Sequence, residues 1–559
     1  MASRSSKIIV YQVFTRLFGN RNTTRKENGT LAENGCGKMN HFDMPTLKRI
    51  SDMGVTHIWY TGIIRHATQT DYTAYGIPRQ HAEVVKGKAG SPYAIADYYD
   101  VDPDLADDVN HRMSEFEALV ERTHKAGMKV IIDFVPNHVA REYKSICKPD
   151  GVKDLGEDDR PDMHFSTDNN FYYCWGQPLN LSNIKHDDTL SYQESPAKAT
   201  GNDRFSSAPS KNDWYETVKL NYGIDYCDAG GRSEHFNPIP NTWGKMTDIL
   251  LFWASKGVDG FRCDMAEMVP AAFWLWAIDK VKFFHPDIFF VGEVYNPSEY
   301  RHYIGAGFDY LYDKVGMYDC MRNVICGNRP ASDITIQWQS TDDIRSHMLY
   351  FLENHDEQRI ASSFFAGDAT KGFPGHLVSL LLNRNPYMLY AGQEYGERGM
   401  DSEGFSGKDG RTTIFDYWCV ESLRRGYFDR RRLTKGERLL ESEYRKVMLI
   451  ARNEKAVGEG EMFDLMYANS HMGDHSYAFL RKKDNEMLLV VANFDDFTAC
   501  IDVNIPAHAF DYLHIPEGVY AAEDLLSGTT FQTALRADCP VHVQVPAWGG
   551  AVWKIVCTE

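Results

Sequence analysis

Eight short apolar runs, separated by longer helical patterns, restrict the fold of this chain more than any other feature. They are IIVYQVF from Ile8, VTHIWYT from Val55, KVIIDFVPNH from Lys129 and GVDGFRCD from Gly257, followed by IFFVGEV from Ile288, FDYLYD from Phe308, MLYFLENHD from Met348 and NPYMLYAGQE from Asn385. Each run is nearly continuous in apolar residues rather than alternating. That is the pattern of a strand buried on both faces, and strands alternating with helices form βα units around a parallel sheet. Eight such units close into a (β/α)8 barrel of the TIM type.

Helical stretches fit between the strands. SEFEALVERTHKAG carries a capping-box pattern, Ser114 followed by Glu117, and ends at Gly127. PAAFWLWAIDKVKFFHP runs from Pro270 to Pro286, and EYRKVMLIARNEKAV closes the barrel portion. One connection is too long to be a loop. The stretch between His138 and Asp259, rich in Trp, Tyr, Asn and Asp, reads as a subdomain inserted after the third strand. Beyond Gly458 the helical patterns stop. HSYAFLRKK, MLLVVANF, ACIDVNI and VHVQVPAWGGAVWKIV read as strands of a C-terminal antiparallel β-sandwich. The expected division is a barrel from 1–138 and 240–457, an insert at 139–239, and a C-terminal domain at 458–559.

A net charge of −18 without a basic cluster argues against nucleic acid and anionic membranes as partners. No apolar stretch reaches the length of a membrane span, and no apolar leader segment precedes the first strand. The eleven cysteines show no metal-binding spacing and read as free thiols. Together these favour the cytoplasm, with the periplasm or the exterior as the alternative if an export signal has been removed.

The chemistry gathers at the strand ends. The third strand ends in Asp133, Asn137 and His138, the fourth in Arg262 and Asp264, the fifth in Glu293, and the seventh in His355 and Asp356. In a βα barrel all carboxyl ends meet at one face, so residues distant in sequence converge there. Any one of them alone is as well explained by a buried ion pair or a helix cap. So many ionisable groups on one rim are costly to assemble without a function. Three carboxylates with an arginine and two histidines suit glycosidic cleavage. One carboxylate attacks the anomeric carbon, and a second gives a proton to the leaving oxygen and later activates water. The third holds hydroxyls and favours the oxocarbenium-like transition state.

DFVPNH (Asp133 to His138), GFRCD (Gly260 to Asp264), GEV (Gly292 to Val294) and ENHD (Glu353 to Asp356) stand in the order and spacing of four motifs of the α-amylase family, glycoside hydrolase family thirteen, which the chain resembles. NPYMLYAGQE is similar to that family's eighth strand, GSPYAIADY to its second-strand loop, and VPAWGGAVWK to the end of its C-terminal domain. The resemblance implies that Asp264 is the nucleophile, Glu293 the general acid/base and Asp356 the transition-state stabiliser. It implies that Arg262 positions Asp264, that His138 and His355 bind sugar hydroxyls, that Tyr93 stacks on the sugar, and that Asp133 braces the site.

The chain departs from the family pattern in two places. Where relatives carry Lys then His after the GFRCD motif, shaping the acceptor side, this chain has Glu267 and Met268. TVKLNY resembles the family's fifth motif, with Lys219 in place of an aspartate. In relatives that aspartate belongs to a calcium site, which also uses the asparagine matching Asn137 and a backbone carbonyl. A lysine there repels a divalent ion, so no cofactor is expected to be required. If calcium binds, Asn137 is its expected ligand, with Asp225 or Asp228 as a source of the missing charge. The expected activity is hydrolysis of α-1,4 bonds in starch-type glucans or maltooligosaccharides. A 4-α-glucanotransferase, a maltogenic enzyme and an α-glucosidase share the mechanism and are the alternatives. A non-catalytic glucan-binding homologue is a distant one, because all three carboxylates are present.

Overall fold

A computed structural model describes residues 7–184 and 192–557. All eight apolar runs form strands, and they close into one parallel barrel: β1 (Ile9–Phe14), β2 (His57–Thr61), β3 (Lys129–Phe134), β4 (Gly260–Cys263), β5 (Phe289–Gly292), β6 (Tyr310–Tyr312), β7 (Met348–Phe351) and β8 (Tyr387–Tyr390). Each pairs with its neighbours in chain order, and β8 pairs with β1 to complete the ring. Every residue of β1, β2, β4, β7 and β8 is buried, as continuous apolar runs require.

Helices pack outside the ring. Ala271–Phe284 follows the expected pattern and begins after Pro270, a residue suited to a helix start. The helix predicted from Ser114 begins earlier, at Arg112, so Ser114 lies in the first turn and caps nothing. Glu115 does the local work instead, accepting the Asp107 and Asp108 backbone N–H groups at 2.9 and 2.7 Å. A capping box does form at the start of the long helix Lys435–Asn453, where Thr434 and Glu437 exchange backbone hydrogen bonds.

The connection after β3 is an insert of two-stranded pieces. His138–Ala140 pairs antiparallel with Thr217–Lys219, bringing Lys219 opposite His138, and Tyr173–Cys174 pairs with Ala197–Lys198. The C-terminal region holds a six-stranded antiparallel sheet and a separate pair, Ala499–Asn504 with Pro540–Val545. It also contains a short helix, Ala507–Leu513, which strand patterning did not reveal. Among the described residues no helix is long and apolar enough to cross a membrane.

Barrel and C-terminal sheet are joined through Arg481. Its fully buried guanidinium donates to the carbonyls of Leu382, Ala456, Val457 and Gly460 at 2.5, 3.1, 2.6 and 2.8 Å. Buried carbonyls stripped of their donor lose the full desolvation cost. Arg481→Met is therefore expected to lower unfolding free energy by about 2 kcal/mol or more. Thermal melts of the full chain check this, and a Tm unchanged from wild type contradicts it.

Candidate active site

The barrel ladders carry the site residues to the rim. Arg262 of β4 pairs in register with Asp133 of β3 and Val291 of β5. The ladder continues past the strand ends, Asp264 N–H donating to Phe134 O at 2.9 Å and Glu293 N–H to Cys263 O at 3.1 Å. Directly after Asp264 the chain turns through Met265, a non-glycine residue in the left-handed region (φ 43°, ψ 44°). Such strain persists only where surroundings enforce it. Here the turn aims the Met265 N–H at Glu293 Oε2, 2.7 Å away. After β7, the Asn354 side chain accepts from the Asp356 and Glu357 N–H groups, both at 2.9 Å, and this turn presents His355 and Asp356.

Arg262 is the hub. It is 1 % exposed, with Nη1 at 2.7 Å from Asp264 Oδ1 and 3.4 Å from Asp133 Oδ1, and Nη2 at 2.8 Å from Glu293 Oε2. Its Nε donates to the Tyr312 hydroxyl at 3.2 Å, and the rings of Trp59 and Tyr93 flank it at 5.2 and 5.4 Å. Burial pushes the Asp264 and Asp356 carboxyls up, with the guanidinium pulling against it. Asp133 rises to about 6 for the same reason, its carboxylate also accepting the Trp59 indole N–H at 2.9 Å.

The two histidines are held neutral. Burial takes His138 down to about 3, helped by Lys219 and Lys86, and takes His355 well below its usual value, helped by Arg262. They therefore serve as hydrogen-bonding groups. His355 Nε2 lies 2.5 Å from the Tyr93 hydroxyl and 3.1 Å from Asp356 Oδ2, while Nδ1 lies 2.8 Å from the Gln12 amide. The Tyr93 ring stacks on His355 with centroids 5.2 Å apart. A cavity of about 280 Å³ opens onto Tyr93, His138, Asp264, Glu293, Asp356 and, from the insert, Trp214. Of the other site residues expected from sequence, Arg262, Asp133 and His355 do not line the cavity but touch residues that do, Asp264, Tyr93 and Asp356 respectively, and the Asn137 amide lies 3.1 Å from the His138 ring.

Sequence reading missed several partners. Gln12, Trp59 and Tyr312 are buried polar or aromatic residues inside apolar strands, where a sequence does not separate core from site. Lys86 and Glu216, paired at 3.0 Å on the cavity wall, and Tyr295 had no signal of that kind.

A model of the alpha-amylase catalytic domain matches residues 12–420. The chain belongs to the alpha-amylase family. It is similar to alpha-amylase 3 of Dictyoglomus thermophilum, 22% identical over 444 residues that span 76% of this chain and 78% of that one. It is also similar to neopullulanase 2 of Thermoactinomyces vulgaris, 23% identical over 414 residues, covering 71% of this chain and only 57% of that relative. Among solved structures, a noncanonic maltogenic alpha-amylase from Thermotoga neapolitana superposes with a TM-score of 0.63 at 20% identity, covering 99% of both chains. The fold is thus that of the alpha-amylases, and the chain is a glycoside hydrolase or glycosyl transferase of that family.

Alpha-amylase family members often bind calcium, and Asn137 is the ligand expected only if calcium binds here. The residues present do not fit that ion. Asn137 Oδ1 accepts a hydrogen bond from the Lys219 ammonium, whose Nζ also lies 3.2 Å from Met268 O and 2.7 Å from Asp203 Oδ1. The three oxygens already surround a cation, one attached to the chain. The carboxylate that completes the set is Asp203. Asp225 and Asp228 lie instead with His235 in a separate group on the insert. A second acidic group, Asp97 and Asp100 near Cys147, is neutralised by Arg65 and Arg112.

Arg262→Met removes the charge shared by three buried carboxyls and is expected to cost about 3–5 kcal/mol near neutral pH. The pH dependence has a definite sign. Without the guanidinium the folded-state pKa values of Asp133 and Asp264 climb further above their unfolded values near 4. Stability from a raised group is fully present below its unfolded pKa and is lost as pH rises through its folded pKa. Asp133 already stands at about 6, so the variant's deficit in Tm is expected to be small at pH 4.5 and to grow steadily to pH 8. Melts across that range check it, and a deficit independent of pH contradicts it.

Proposed function

We propose that this protein cleaves α-1,4-glucosidic bonds in starch-type glucans or maltooligosaccharides by retaining double displacement. The observation that carries this reading is Arg262 bridging Asp264 and Glu293, which places two carboxyls side by side at one cavity. Retaining enzymes need such adjacent carboxyls, because one attacks the sugar directly while the other serves the leaving oxygen.

Asp264, its carboxylate form favoured by the adjacent Arg262, attacks the anomeric carbon as the bond to the leaving oxygen breaks. Glu293 gives that oxygen its proton and then takes one from the incoming water, which releases the sugar from Asp264 and restores both groups. Asp356, less enclosed than the others, reaches the sugar hydroxyls beside the neutral His355. Tyr93 and the neutral His138 line the pocket that receives the same sugar ring.

A second reading, transfer to a sugar hydroxyl as in 4-α-glucanotransferases, maltogenic enzymes and some α-glucosidases, is favoured by one feature. Glu267 turns toward backbone N–H groups, so the acceptor side lacks the Lys–His pair of relatives. Incubation with maltotriose separates the two. Shorter products alone support hydrolysis, and products longer than the substrate, formed together with shorter ones, support transfer.

Asp264→Asn is expected to lower kcat by several orders of magnitude with the fold retained, because covalent attack is lost. A variant keeping more than about a tenth of the wild-type rate, a loss of only ~1.4 kcal/mol, removes Asp264 from the nucleophile's role. We also propose that the enzyme works without calcium beside Asn137, since the Lys219 ammonium stands among the oxygens there. Melts with excess EDTA and with millimolar calcium are expected to coincide within about a degree. A calcium-linked rise of several degrees, with activity lost in chelator, overturns this.

A further inference from the structure

Glu293 sits at the end of β5, and the chain beyond it, up to Glu299, is irregular. A carboxyl in that position has nothing in its own backbone to fix its rotation. Two hydrogen-bond donors and one cation fix it. The Tyr295 hydroxyl donates to Oε1 at 2.5 Å, while Oε2 receives the Met265 N–H at 2.7 Å and faces Arg262 Nη2 at 2.8 Å. The tyrosine bond is as short as charge-assisted O–H···O⁻ bonds become.

Tyr295 belongs to the same irregular stretch, so it too needs an anchor. Glu267 supplies one: its Oε2 accepts the Tyr295 N–H at 3.1 Å and the Asn296 N–H at 3.0 Å. Glu267 lies in the short turn Ala266–Met268 that follows Asp264. That turn is tied down by the Tyr303 hydroxyl, 3.1 Å from Glu267 O and 2.9 Å from Val269 O. The loop after the nucleophile strand and the loop after the acid/base strand are thereby clamped to each other.

We propose that Tyr295 and Glu267 are positioning residues that orient the Glu293 carboxyl for proton transfer, Tyr295 by contact and Glu267 by holding Tyr295 in place. This rests on the reading of Glu293 as acid/base. When Glu293 passes its proton to the glycosidic oxygen, it is left as a carboxylate. A hydroxyl donor binds a carboxylate more strongly than a neutral acid, so the Tyr295 bond tightens as the proton leaves. Such an interaction lowers the barrier because it grows along the reaction. It matters most where the leaving group most needs a proton.

The test compares a maltooligosaccharide, whose sugar leaving group requires protonation, with α-maltosyl fluoride, whose fluoride requires little. Tyr295→Phe in the full-length enzyme is expected to lower kcat for the oligosaccharide about ten-fold or more, with loss under about three-fold for the fluoride and little change in KM. Glu267→Ala is expected to show the same selective loss. Glu267→Gln keeps an acceptor oxygen for the two N–H groups and is expected to remain near wild type. Equal losses on both substrates, or no loss in either Tyr295→Phe or Glu267→Ala, overturn the proposal. Glu293→Gln is the control for the underlying reading. If it too loses equally on both substrates, the acid/base assignment falls, and the proposal with it. If Glu293→Gln shows the selective loss and the Tyr295 and Glu267 variants do not, the positioning proposal alone is wrong.

Discussion

One buried guanidinium makes the rest of this site possible. Three carboxyls, those of Asp133, Asp264 and Glu293, are largely buried at the mouth of the barrel, and each pays a desolvation penalty of several kcal/mol. Arg262 faces all three, and its own burial is offset by their charge and by the rings of Trp59, Tyr93 and Tyr312. The two histidines add no competing charge because burial keeps them neutral. The balance is local, so the barrel can hold reactive acids at its rim without filling that rim with further cations.

The register of the parallel ladder is what lets one side chain do this. Arg262 lies level with Asp133 on one neighbour, and two steps along its own strand Asp264 points to the same side, as the period of two requires. Glu293 enters one residue beyond the paired part of β5. A slip of one residue in either pairing would turn a carboxyl toward the helices and leave it there without a partner. The apolar runs that close the barrel and the acids that line its mouth are therefore not separable features of the chain. The burial that makes the strands pair also makes their register strict.

The barrel was legible because its strands are buried on both faces and need no alternation to be seen. The carboxyls were legible because an acid at the end of such a run is conspicuous. Residues that support them were not, for identifiable reasons. Gln12 and Tyr312 look like ordinary core positions until the ring is closed and they are found beside His355 and Arg262. Asp203 comes from the insert, whose short two-stranded pieces carry too little periodicity to place any side chain in advance. Ser114 fitted a capping pattern, but the helix gained a turn before it, since Asp108 and Glu115 satisfy the preceding backbone N–H groups.

Lys219 shows how one substitution changes what kind of interaction joins insert to barrel. A bound divalent ion would link Asn137, Met268 and Asp203 through bonds that exist only while the ion is present. The ammonium links the same three oxygens through the covalent chain, and it is fully buried, so burial holds its pKa below the usual lysine value. The link also reaches the cavity at the barrel mouth. Lys219 is paired across the strands with His138 and contributes to keeping that ring neutral. A neutral imidazole presents one donor and one acceptor, and the burial that mainly keeps His138 neutral is reinforced from behind by a charge that never enters the pocket. The charge that anchors the insert thus also adds to the field at the pocket's histidine, in the same direction as its burial.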